Sequence, residues 1–110
     1  MKTESAMDRY ELFVTDASEA DLNETADYIA FSLKEPLTAL KLINRIKDAV
    51  LSLGEMPQHH RPVSDRSLSE KNIRFLPVDK YLIFYTINET PKKVTILRIL
   101  HSRREWERLL

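Results

Sequence analysis

A proline at position 36 divides two apolar stripes, and that division restricts the fold more than anything else in the chain. Upstream, Leu22, Ala26, Ile29 and Leu33 recur at spacings of four, three and four, which is one face of a helix. Downstream, Ala39, Ile43, Ile46, Val50 and Leu53 repeat the pattern. Proline disfavours helical geometry in the residue before it and suits the first turn of a helix, so one helix ends near Glu35 and the next opens at Pro36. Two amphipathic helices with so short a connection predict an antiparallel helical hairpin. Asp16 with Glu19, or Ser18 with Asp21, offers its start. Gly54, the only glycine, follows Leu53 where a left-handed C-cap would be needed.

The rest of the chain alternates. YELFV (10–14) predicts a short strand, and NIRFLPV, YLIFYTIN and KVTILRIL predict three more, turned at Asp79–Lys80 and at Glu89–Lys92. The middle run is apolar on both alternating sets, as in a central strand. Residues 55–71 have no period and contain two prolines, so they read as a loop. In the last ten residues, HSRREWERLL, Ser102 and Glu105 have the spacing of a capping box and predict a short C-terminal helix. Arg103 and Arg104 would then stand at a helix N-terminus, which disfavours cations and attracts anions. The expectation is an α+β fold of one domain over residues 1–110: N-terminal strand, antiparallel helical hairpin, three-stranded antiparallel meander and short C-terminal helix.

Composition narrows the function. The 110 residues contain no cysteine, which excludes disulfides and thiolate metal sites. No apolar run approaches the roughly 18 residues of a membrane span, and MKTESAMDRY lacks a signal-peptide core, so a cytoplasmic protein is expected. The net charge of zero hides a split. Residues 1–35 hold three Lys/Arg and nine Asp/Glu, leaving fourteen and eight of the seventeen each for residues 36–110. Such asymmetry suggests one acidic and one basic face.

Nucleotide-binding glycine motifs and HEXXH are absent. His59 and His60 are adjacent and, with Asp65, could hold a metal, but they read more simply as loop histidines, and neither metal nor cofactor is expected. What remains is a basic constellation. Alternation puts Arg98 on the face of Ile96 and Leu100, where it needs a partner such as a helix carboxylate. Arg74 lies between Ile73 and Phe75. His101 could exchange protons with a substrate or act as a cap, and Trp106 could pack the final helix on the sheet or stack on a base. If RNA is the ligand, attack of a 2′-hydroxyl on its phosphate needs an acid/base group and cations. His101 would supply the first, and Arg74, Arg98, Arg103 and Arg104 the second.

RFLPVDKYLIFYTI followed by VTILRILHSRREWERLL resembles the RelE/ParE superfamily of toxins from bacterial type II toxin–antitoxin pairs. The closest correspondence is in Tyr81 to Tyr85 and in Arg98, Ile99, Leu100, His101, Arg103 and Arg104. The resemblance implies a cognate antitoxin that orders as it wraps the toxin. It further implies growth inhibition by ribosome-dependent cleavage of mRNA, with His101, Arg74 and Arg103 catalytic and Arg98, Arg104 and Trp106 binding phosphate or partner. ParE-like inhibition of DNA gyrase by binding alone is the alternative, and a degenerate antitoxin-binding protein is the third reading. RelE-like nucleases often carry an arginine after the tyrosine matching Tyr81, where this chain has Leu82.

Overall fold

The computed structural model describes residues 9–55, 57 and 71–110. Most of the expected 55–71 loop, with His59, His60 and Asp65, lies outside the described residues. Strand β1 (Glu11–Val14) leads into helix α1 (Asp16–Asp27), a π-helical turn (Tyr28–Ser32) and helix α2 (Pro36–Ser52). Strands β2 (Arg74–Val78), β3 (Tyr81–Glu89) and β4 (Lys92–His101) follow, and a single 3-10 turn (Trp106–Arg108) comes near the end. The meander is antiparallel as expected, and β1 joins it parallel to β4, giving the order β1-β4-β3-β2. Both β3 and β4 are therefore interior, and β2, with Pro77 opposite Leu82, forms one edge.

The helices cover one face of this sheet. Ile29, Ala39, Leu42, Ile46 and Leu53 pack against Ile83, Tyr85, Val94, Ile96 and Ile99. The opposite face buries Ile73, Phe84 and Leu100 beneath Leu97, Trp106, Leu109 and Leu110. Pro36 opens α2 at its first position, and Ala39, Ile46 and Leu53 of the second stripe are buried, but Leu42 takes the inward place expected of Ile43, which is only half-buried.

Four local expectations are corrected. Neither Asp16 nor Ser18 caps α1: Thr15 does, accepting the Ser18 N–H, while its hydroxyl reaches Ile96 O at 2.8 Å and Leu97 O at 3.1 Å. Tied in this way, the helix start is fixed to β4. The π turn, closed by Leu33 N–H on Tyr28 O at 3.0 Å, inserts a residue into the helical phase and leaves Leu33 51% exposed instead of inward. The left-handed residue that ends this helix is Lys34 (φ 57°), whereas Gly54 has no positive φ. Gly54 instead gives close approach: its carbonyl accepts Tyr10 N–H at 2.7 Å, and a Cβ there would stand 3.4 Å from Tyr10 O. Finally, Ser102 caps no helix. Its N–H goes to Lys80 O at 2.8 Å, and only the one 3-10 turn forms beyond it.

A β-bulge completes the frame. Phe84 pairs with Arg98 but Tyr85 pairs with Ile96, so Leu97 is the extra residue. One inserted residue reverses the alternation. Val94, Ile96 and Ile99 thereby share the helix-covered cluster, Leu100 falls in the other, and Arg98 does not share a face with Ile96 as expected.

Arg98 finds the helix carboxylate that its position called for. Its Nε and Nη2 donate to Asp21 Oδ2 and Oδ1, each at 2.7 Å, and Asp21 Oδ2 also accepts the backbone N–H of Ile99 at 3.0 Å. Strand β1 ends opposite Ile96, so the Asp21 carboxylate serves the β4 edge where β1 no longer can. Arg98 Nη1 reaches Leu109 O at 3.3 Å, tying the C-terminal segment to the same point. The hydrogen bond to Asp21, above all, pushes the guanidinium further up from its ordinary range and keeps it charged.

Asp21 is 6% exposed, and removing one member of a buried pair leaves an uncompensated charge. Asp21→Ala should therefore lower the unfolding free energy by about 3 kcal/mol in urea titration. Arg98→Ala should cost a similar amount, and the double variant should be far more stable than the sum of the two losses allows.

Candidate functional site

At the end of the sheet where β4 finishes, α1 and the π turn enclose with the strands a cleft of about 310 Å³. Asp21, Glu24, Thr25 and Tyr28 line it from the helix, and Tyr81, Ile99, His101 and Arg104 line it from the strands and the turn beyond. His101 is half-buried, and its ring meets Tyr81 edge-on with centroids 5.2 Å apart. Its Nδ1 accepts the Arg103 N–H at 3.1 Å, so the neutral ring carries its proton on Nε2. Arg104 N–H bonds His101 O at 3.0 Å. The two backbone bonds fold residues 101–104 into a tight turn that exposes the Arg103 and Arg104 side chains.

The expected site residues are thus only partly assembled. His101 and Arg104 share the cleft, with Arg103 beside them in the turn. Arg98 is engaged by Asp21. Trp106 packs on Phe84, centroids 5.2 Å apart, within the cluster on the opposite face of the sheet. Arg74 pairs with Tyr85, whereas His101 pairs with Tyr81. That register separates Arg74 from His101 by four residues along the strands and two strands across, roughly 14 Å by 10 Å. His101 stands at the end of the sheet, whereas Arg74 lies opposite the middle of β3.

Asp21, Glu24, Tyr28 and Tyr81 were not singled out as site residues. A signal for Asp21 was present: it falls three residues after Ser18 and one before Leu22, on the inward face of α1, where a carboxylate demands a cation. The charge split also resolves differently from expectation. The acidic N-terminal half does not form a face remote from the basic one, because α1 lies against β4 and its carboxylates oppose Arg98 and Arg104.

Among the described residues no three His, Asp or Glu side chains group as metal ligands, and no helix is long and apolar enough to cross a membrane.

The sequence of residues 12–106 matches the model of a family described as the ParE toxin of type II toxin–antitoxin system, parDE. Y4kP of Sinorhizobium fredii (strain NGR234), described as a candidate toxin, is 32% identical over 89 residues, covering 81% of this chain and 84% of that protein. Two solved structures share the fold. A chain of the chromosomal ParDE toxin–antitoxin system of P. aeruginosa superposes with a TM-score of 0.71 at 23% identity, over 86% of this chain and 98% of that one. A chain of the RelBE2 toxin–antitoxin complex of Mycobacterium tuberculosis gives 0.63 at 18% identity, over 86% and 93%. The chain belongs to the ParE family of type II toxins.

Midway along β3, the buried Tyr85 hydroxyl donates to Pro57 O at 2.7 Å. Burial pushes this phenol up to about 12, against a smaller lowering by the Arg74 charge. A phenol whose folded value lies above its unfolded value near 10 holds its full contribution below pH 10 and loses it as the pH rises towards 12. Stability should fall by up to about 2–3 kcal/mol across that window. In chemical denaturation at stepped alkaline pH, Tyr85→Phe should lack this component of the slope.

Proposed function

We propose that this chain is the toxin of a type II pair, acting in the cytoplasm by binding DNA gyrase, as ParE-type members do, without cleaving RNA. One observation carries the reading: of the four cations expected around His101, only Arg103 and Arg104 stand there, both exposed at the rim. Arg98 is held by Asp21, Arg74 is four residues along and two strands across, and the wall facing His101 carries Asp21 and Glu24. Asp21 and Arg98 cancel each other, so the pair offers no free cation, and Glu24 beside the reacting position would repel the phosphate whose growing charge a nuclease must stabilise. The family match points the same way. Arg103 and Arg104, exposed at the rim, would then serve recognition, either of the target or of carboxylates on a cognate antitoxin that folds onto the toxin.

Ribosome-dependent cleavage by an endoribonuclease centred on His101 is the competing reading, supported by the half-buried imidazole opening on a cleft of ligand size. Two assays run side by side separate them. Purified toxin should inhibit gyrase supercoiling and leave mRNA intact in a reconstituted translation system followed by primer extension. His101→Ala should retain toxicity within about threefold, whereas Arg103→Glu with Arg104→Glu should lose about tenfold or more. Cuts within codons that require ribosomes and vanish with His101→Ala would replace this reading with the nuclease one.

A further inference from the structure

Of the eight large hydrophobic residues exposed among those described, five fall within residues 28–40: Tyr28, Phe31, Leu33, Leu37 and Leu40, between 51% and 74% exposed. They occupy the π turn, the connection and the first turns of α2. Together they present on the order of 500 Å² of mostly apolar surface, the upper end of what a monomer shows.

Two features make this patch more than scattered exposure. The inner face of α2 is already committed to the core through Ala39, Leu42 and Ile46, so Leu37 and Leu40 make this end of the helix apolar on both sides. A helix apolar all round is one that is covered. The π turn, in turn, carries Leu33 out of the inward stripe and to the surface beside Phe31. Such turns concentrate at functional sites.

We propose that the hairpin tip is a homodimer interface, covered by the hairpin tip of a second copy of this chain. Charge argues for a like partner. The exposed ionic residues in and around the patch are Asp27, Lys34, Glu35 and Lys41, two of each sign, so the rim has no net charge with which to select an acidic or a basic protein. Mixed signs on one patch are what a two-fold contact needs, because each acid can meet the base of the other copy. Shape agrees: two helical hairpins laid against each other make a four-helix arrangement, a stable way to bury paired apolar helix faces. The area agrees as well. Two such patches would bury about 1,000 Å² in all, which reaches the threshold of a specific if modest interface.

The test is sedimentation velocity on the full chain from about 1 to about 100 µM, the range in which an interface of this size dissociates. Wild type should pass from monomer to dimer. Phe31→Asp with Leu37→Asp should weaken dimerisation about tenfold or more, with a thermal melt unchanged at concentrations where wild type is monomeric, because both side chains face solvent in the single copy. Leu51→Asp, at the opposite end of α2 and 66% exposed, should behave as wild type.

The cysteine-free sequence supplies a second readout that does not depend on weakening the contact. Phe31→Cys or Leu37→Cys should form disulfide-linked dimers in oxidised glutathione, and Leu51→Cys should not. Wild type that is monomeric throughout, or a dimer that the tip substitutions leave intact, would overturn the proposal. So would a monomeric wild type whose tip variant no longer copurifies with its antitoxin, since that would give the patch to the antitoxin.

Discussion

The contact between Asp21 and Arg98 joins at one point three parts of the chain that otherwise meet mainly through non-directional apolar packing. Strand β1 is only four residues long, and β4 continues past its end with an exposed edge. A helix carboxylate supplies the acceptor that the missing strand would have provided, the arginine two atoms away neutralises it, and the same guanidinium reaches the carbonyl of Leu109. Hairpin, sheet and C-terminal segment are thereby fixed at a single point. A buried ion pair adds little to stability when set against a well-packed apolar alternative, but removing half of it is costly. Its value here is registration: α1 can seat in one position only along β4.

The outline of this architecture was legible because it depends on two strong local signals. Pro36 between two helical stripes gave the hairpin, and three alternating runs with short turns gave the meander. The errors have a common physical origin. Periodicity arguments assume a constant phase, and this chain breaks phase twice, by one residue in the π turn and by one at Leu97. The first insertion sent Leu33 outward and the second moved Arg98 off the face of Ile96. Neither has a sequence mark, since there is no glycine in either segment. The C-terminal helix failed for a different reason. Ser102 and Glu105 have the correct spacing, but a sequence of so few residues cannot offset the cost of helix nucleation, and the Ser102 N–H is already bonded to Lys80 O.

The site was less legible than the fold. Residue types alone identified the cations, and alternation located them on strands, but where along the sheet each stood depended on register between strands far apart in sequence. Arg74 and His101 are 27 positions apart and belong to adjacent-looking motifs, yet the pairing through β3 sets them four residues apart along the strands and two strands across. The acidic wall was hidden by averaging. A net charge of zero, and even the split between halves, described amounts of charge without saying that α1 would be laid against the strand carrying Arg98.

The parallel pairing of β1 with β4 also bears on how the molecule comes into being. Glu11 is made 82 residues before the Lys93 it pairs with, and Asp21 waits almost as long for Arg98. Until β4 has left the ribosome, the helical hairpin lacks half of the sheet face it covers, and β1 has no neighbour. Contacts of such long sequence separation make folding slow and late. A toxin built this way completes its surface only late in its own synthesis, which gives any partner already present the first opportunity to meet that surface as it forms.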